Sequence, residues 1–176
     1  MSTLKAPPKV RLFMGIIYNE NSEIISCLNS LEQKYGEIAF TSDILPFDST
    51  SYYSDEMGKK LSRKFIAFEK LIKREQIVEI KHYSNELEDS LSLEEKRTIN
   101  IDPGYIAAEH VVLSTGKPYS HRPYLGKGVY ADLTLVYKKN SFIFLDWTYP
   151  DYKDKNIQEI FIELRSNYLE DLNKEI

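Results

Sequence analysis

A single cysteine, Cys27, rules out an internal disulfide, so nothing in the chain indicates an oxidising compartment. Seven glycines and seven prolines in 176 residues are too few for a collagen-like or linker-rich chain, and no internal repeat or low-complexity segment is present. No uninterrupted apolar run approaches the roughly 20 residues needed to cross a bilayer. The opening "MSTLKAPPKV" lacks an apolar stretch of signal-peptide length. The expectation is a cytoplasmic protein with no membrane partner. Zinc-type Cys/His spacing, a nucleophile elbow and a dinucleotide fingerprint are all missing.

What is present fits an ordinary globular chain. With 42% hydrophobic and 28% charged residues, the composition excludes intrinsic disorder and supports a single domain over 1–176 with a flexible segment at 1–8. Thirteen tyrosines and eight phenylalanines supply large contact areas, and each buried tyrosine needs a partner for its hydroxyl. The net charge of −4 gives no general attraction to nucleic acid. Charge is nevertheless uneven. Lys59 to Arg74 holds seven bases and one acid, and Glu75 to Glu95 holds seven acids and one base. Two neighbouring helices that attract each other would explain this, and so would an exposed binding face.

Periodicity assigns the elements. "KVRLFMGIIYN" reads as a strand, and "NSEIISCLNSLEQKYG" as a helix with Ile24, Leu28, Leu31 and Tyr35 on one side. "EIAFTSDILPFD" is a second strand interrupted by Pro46. The spacing of Leu61, Phe65, Phe68 and Ile72 predicts a helix over 57–74, with a basic face over 59–74, followed by another over 75–87. "RTINID" is a short strand, Asp102-Pro103-Gly104 reads as a helix entry, and 105–116 leans towards helix. From Tyr119 onward the pattern is a three-stranded meander with turns at "GKG" and "KKN", then a helix striped by Ile157, Ile160, Phe161, Leu164 and Tyr168. The fold class expected is α+β: a mixed, largely antiparallel sheet with helices packed mainly on one face.

Few residues offer chemistry. Gly126-Lys127-Gly128 is not a P-loop, because no Ser or Thr follows Lys127 and a strand, not a helix, comes next. It reads as a hairpin turn from which Lys127 could still touch an anion. If the last three strands pair in order, His121 or Arg122 meets Asp132, with Asp146 approaching from the third. Adjacent residues of a regular strand face opposite ways, so only one of His121 and Arg122 can join Asp132. Such a set could do acid–base work with His121 and Asp132, hold a metal through Asp102, Asp132 and Asp146, or grip a phosphate or carboxylate. Cross-strand charge pairing on a solvated face is the plainer alternative. Asp102 opening a helix would point N–H groups at an anion, unless it is simply a cap. "DWTYPDY" gathers aromatic and acidic groups; an exposed Trp and Tyr set beside carboxylates can stack on a base or sugar, while packing of Trp147 into the core under the terminal helix is the usual case.

"PFDSTSYYSDEMG", "NIDPGYI", "SHRPYLGKGVYADLTL" and "DWTYPDY" resemble the signatures of an uncharacterised bacterial family, domain of unknown function 4416, over about Lys9 to Tyr168. Members are frequently labelled GTP-binding. The chain itself holds neither a Walker sequence nor an Asn-Lys-x-Asp motif. The resemblance carries no catalytic residues across. It draws attention to Asp48, Tyr52, Tyr53, Asp102, His121, Arg122, Lys127, Asp132, Asp146 and Asp151. The function expected is the binding of a small anionic or phosphorylated ligand, a nucleotide included, on the polar face of the C-terminal sheet. The rivals are a protein- or RNA-interaction module using the basic helix 59–74 and a metal-dependent hydrolase.

Overall fold

A computed structural model describes residues 3–48, 53–58 and 60–174. Its elements in chain order are β1 (Val10–Asn19), α1 (Ile24–Tyr35), β2 (Ile38–Thr41), β3 (Leu45–Phe47), the one-turn α2 (Ser54–Met57), β4 (Leu61–Ile72), α3 (Ile77–Ser90), β5 (Ile99–Ile106), β6 (His110–Thr115), β7 (Tyr124–Gly126), β8 (Val129–Lys138), β9 (Ser141–Phe144) and α4 (Lys155–Lys174). The nine strands form one sheet in the order β2-β4-β1-β5-β6-β8-β7, with β3 also on β4 and β9 also on β8. Every described pairing is antiparallel. The class is α+β, and the C-terminal meander is in place.

Alternation along β1 sets the two faces. Val10, Leu12, Met14 and Ile16 are fully buried in a core with Cys27 and Leu31 of α1 and Ile77, Ile80 and Leu87 of α3. The other side of β1 carries Phe13, which packs with Phe65, Leu113, Leu135 and with Phe161 and Leu164 of α4. Two long helices therefore share one face and α4 covers part of the other. Each such buried Leu, Ile or Phe contributes about 1.5–3 kcal/mol relative to exposure. Rings lock the second core: Phe161 meets Phe13 edge-on at 5.0 Å and Phe65 at 5.5 Å.

Three sequence expectations are corrected. Residues 57–74 are not a helix: β4 runs from Leu61 to Ile72. It lies between β1 on one side and β2 and β3 on the other. Both its faces are buried, so apolar residues occur at odd and even positions and mimic helical spacing. The basic helical face that an RNA- or protein-binding reading required is therefore absent from the described residues. Asp102-Pro103-Gly104 does not open a helix either; it lies inside β5. The carbonyl of Pro103 accepts from Ser114 Oγ at 2.9 Å, so its missing N–H faces the same way, towards β6. The β5–β6 ladder stops at Gly104, and the proline sits just past the last rung, where no N–H is required. The third correction is 105–116, which is strand, turn and strand rather than helix.

Candidate functional site

The end of that ladder matters for what lies beneath it. Beyond Gly104, β5 continues without β6 beside it, and α3 reaches across to serve its edge. Glu88 accepts from the Ile101 N–H at 2.6 Å, and Lys81 Nζ donates to the Ile101 carbonyl at 3.3 Å. On the face away from α1, α4 packs as far as Phe65, and the next row of the sheet, Arg63–Ile17–Asn100, floors a cleft with Asp102 beside it. The cleft measures about 770 Å³. Its walls come from Phe47, Tyr53 and Glu56, from the end of β6 and Lys117, and from a strap running from Tyr149 to Tyr152. The volume lies in the range of small-molecule sites.

Charges in the cleft are mostly paired. Arg97 holds Glu56 in a two-pronged bond at 3.1 and 2.7 Å, and also reaches Glu88 at 3.1 Å and Asn100 Oδ1 at 3.0 Å. Burial pushes the Glu88 carboxyl up from its ordinary value, against the pull of Lys81, the Ile101 N–H and Arg97. Arg63 is 3% exposed. It pairs with Asp151 and lies over the rings of Phe65, Tyr152 and Phe47 at 4.6, 5.0 and 5.4 Å. Gly15 makes room for it, since a Cβ there would sit 3.0 Å from its Nη2. Its Nε has no partner among the described residues. Asp102 is half-buried and accepts from Asn100 Nδ2 on Oδ2 at 2.9 Å, its one hydrogen bond among the described residues. Burial pushes the hydroxyls of Tyr53, Tyr149 and Tyr152 up, helped most by the Asp102 carboxylate at Tyr53 and Tyr152 and by Asp132 at Tyr149.

The strap is fastened from behind. Arg122 Nη2 donates to Tyr149 Oη at 2.7 Å, and Arg122 Nε to Asp132 Oδ2 at 2.7 Å. His121 Nε2 lies 3.4 Å from the same carboxylate oxygen, and its ring stacks on Trp147 at 4.8 Å. Both His121 and Arg122 therefore reach Asp132. They sit in the loop before β7, where strand alternation does not apply. Asp132 is 1% exposed and also accepts from Thr134 Oγ1 at 3.2 Å. Its lone pairs are spent on structure, and neither it nor His121 lines the cleft.

Of the other residues singled out from sequence, Asp102 and Asp151 line the cleft. Asp48 and Asp146 are exposed and lie outside it. Lys127 is also exposed; it pairs with Glu79 of α3 at the far end of a hairpin turn. Tyr52 falls outside the described residues. Asp102, Asp132 and Asp146 do not gather: no group of three or more metal-ligating side chains occurs among the described residues. Trp147 is not in the core. It is 38% exposed and donates from Nε1 to the Leu133 carbonyl at 2.8 Å. Sequence reasoning missed Arg63, hidden in the supposed helix, and Arg97, Glu88, Tyr149 and Tyr152. The signal for the tyrosines was present in "DWTYPDY"; alternation of Leu61, Arg63, Phe65 and Ala67 would have found Arg63.

Fold and cleft together define an α+β domain with one antiparallel sheet and a polar cleft where two of its strands part. The family model described as a domain of unknown function, number 4416, matches residues 8–168, and the chain belongs to that family. Comparison with curated proteins and with solved structures gave no match. Among the described residues no helix is long and apolar enough to cross a membrane.

Proposed function

We propose that this is a cytoplasmic binding domain for a small anionic or phosphorylated metabolite, seated in the cleft over β4, β1 and β5 and not on the meander face. The observation that carries the reading is Arg63: a guanidinium only 3% exposed that nevertheless lines the cleft, held in place by Asp151 and by three rings. A fixed planar cation in a cleft wall is the group that grips a phosphate or carboxylate. Lys81 and Lys117 add positive charge around the same space. The tyrosine rings supply apolar wall with polar tips, as small-molecule sites require. A nucleotide is among the ligands this volume accommodates.

The test is a thermal-shift screen of the whole chain against nucleotides, sugar phosphates, pyrophosphate and the matching unphosphorylated sugars and nucleosides. A ligand at one hundred times its Kd stabilises the folded state by about 2.7 kcal/mol, which moves the melting temperature by several degrees. The expected result is a rise with phosphorylated compounds and none with their neutral counterparts. No rise with any anionic compound overturns the reading.

A further inference from the structure

The cleft has a second pole, and its chemistry is the opposite of Arg63's. Asp102 stands beside the floor row that holds Arg63. Its Oδ2 receives Asn100, and no hydrogen bond to Oδ1 is made among the described residues. A half-buried carboxylate with an unused oxygen selects for a donor on the ligand. Two kinds of donor compete: a cationic amine and a pair of neutral hydroxyls.

The surroundings decide between them. An ammonium group would be held best by open aromatic faces around the carboxylate. Most of those faces are taken. The Arg63 guanidinium already lies over Phe47, Phe65 and Tyr152, and Arg97 lies 6.0 Å from the centre of the Tyr53 ring. Hydroxyls bring no charge, and two on neighbouring carbons can reach the unused Oδ1 and the second lone pair of Oδ2 beside Asn100. The Tyr149 hydroxyl already accepts from Arg122, so its own proton can be given to a ligand oxygen nearby.

We infer that Asp102 is a binding residue for vicinal hydroxyls, so that the ligand is a polyhydroxylated, sugar-like anion with its charged group towards Arg63 and its diol on Asp102. This rests on the reading of the cleft as an anion site. Isothermal titration of the whole chain with three probes separates the two ideas: ribose 5-phosphate, 2-deoxyribose 5-phosphate, whose ring form has no vicinal hydroxyl pair, and O-phosphoethanolamine, which offers an ammonium instead. Ribose 5-phosphate is expected to bind at least about tenfold more tightly than either of the others, the loss that follows from forfeiting a bond to a charged group. Asp102→Asn keeps the shape and the acceptor for Asn100, and is expected to bring ribose and deoxyribose phosphates to equal affinity. Its unliganded melting temperature checks that it folds. Three probes of like affinity, unaffected by Asp102→Asn, remove the diol and leave the anion site standing. Tightest binding of phosphoethanolamine makes Asp102 an amine site and overturns the inference. Silence from all three probes overturns it too, and the wider phosphate screen then decides separately whether the cleft takes anions at all.

Discussion

The two faces of the sheet follow different rules, and β1 measures the difference. Its residues towards α1 and α3, Val10, Leu12, Met14 and Ile16, are all apolar and wholly buried. Those on the other side are Arg11, Phe13, Gly15 and Ile17, with the aromatic residue in the core under α4 and the others outside that core. A face roofed along its length by helices needs only volume and alternation. On the other side polar groups enter the sheet, and each is bound by what it can be paired with, Arg11 by Asp171 of α4. Asp132 and Asp102 show the two outcomes. Asp132 is enclosed and committed to Arg122, Thr134 and His121. Asp102 opens on the cleft with one neighbouring amide.

The largest effect that can break this contrast comes from those two aspartates. Asp132→Ala leaves the Arg122 guanidinium, 7% exposed, without its carboxylate. Removing one partner of a buried pair costs about 3–5 kcal/mol. Tyr149 also loses its fixed position, so the cleft wall loosens. Asp102→Asn keeps every bond made within the protein and is expected to cost less than about 1 kcal/mol. Urea unfolding of the two variants measures both. Equal losses would mean that Asp102 is as structural as Asp132, and would remove its availability to a ligand.

Glu88 gives a smaller effect with a definite sign. Burial raises its pKa above the ordinary value of 4.5. Its contribution to stability is therefore fully present below the unfolded value and is lost as pH rises through the folded one. Glu88→Gln does not titrate. The stability of the wild type relative to this variant should fall as pH rises above the ordinary carboxylate value, read from urea midpoints at several pH values. A difference that grows with pH would show that Arg97 and Lys81 outweigh burial there, and that this wall of the cleft is fully ionic.

The same division of faces explains how far the sequence could be read. The strand over Val10–Asn19, the helices over Ile24–Tyr35, Ile77–Ser90 and Lys155–Lys174, and the hairpins after Tyr124 follow from periodicity and turn residues. The helices, each with one buried face, announce their period; β1, buried on both, shows itself by a short apolar run rich in β-branched residues ending at Asn19. β4 does not, because a central strand buried on both sides has no polar phase. β5 conceals itself behind Asp-Pro-Gly, a helix signal in isolation that the end of a ladder overrides. Asp102 and Asp151 were chosen from sequence for other reasons, a helix cap and an aromatic cluster, and the cleft gathers both. Alternation along β4 points to Arg63 but not to its partner, and nothing points to Glu88: the groups they meet lie 88 and 13 positions away and only the folded chain brings them together.

Lys127 supplies the finest discrimination, because an anion site on the meander would need it. Gly126, Lys127 and Gly128 all have positive φ, at 114°, 48° and 78°, the geometry of a tight hairpin turn. The turn docks on α3 through its backbone, with the Lys127 carbonyl 2.9 Å from His82 Nε2. The amine adds only an exposed pair with Glu79, of a kind that contributes little. Lys127→Ala retains the carbonyl and is expected to leave the melting temperature and the affinity for ribose 5-phosphate at wild-type values within error. Were its affinity to fall while that of Asp102→Asn held, the anion would be bound at the hairpin. Arg63 would then serve only to hold the strap through Asp151.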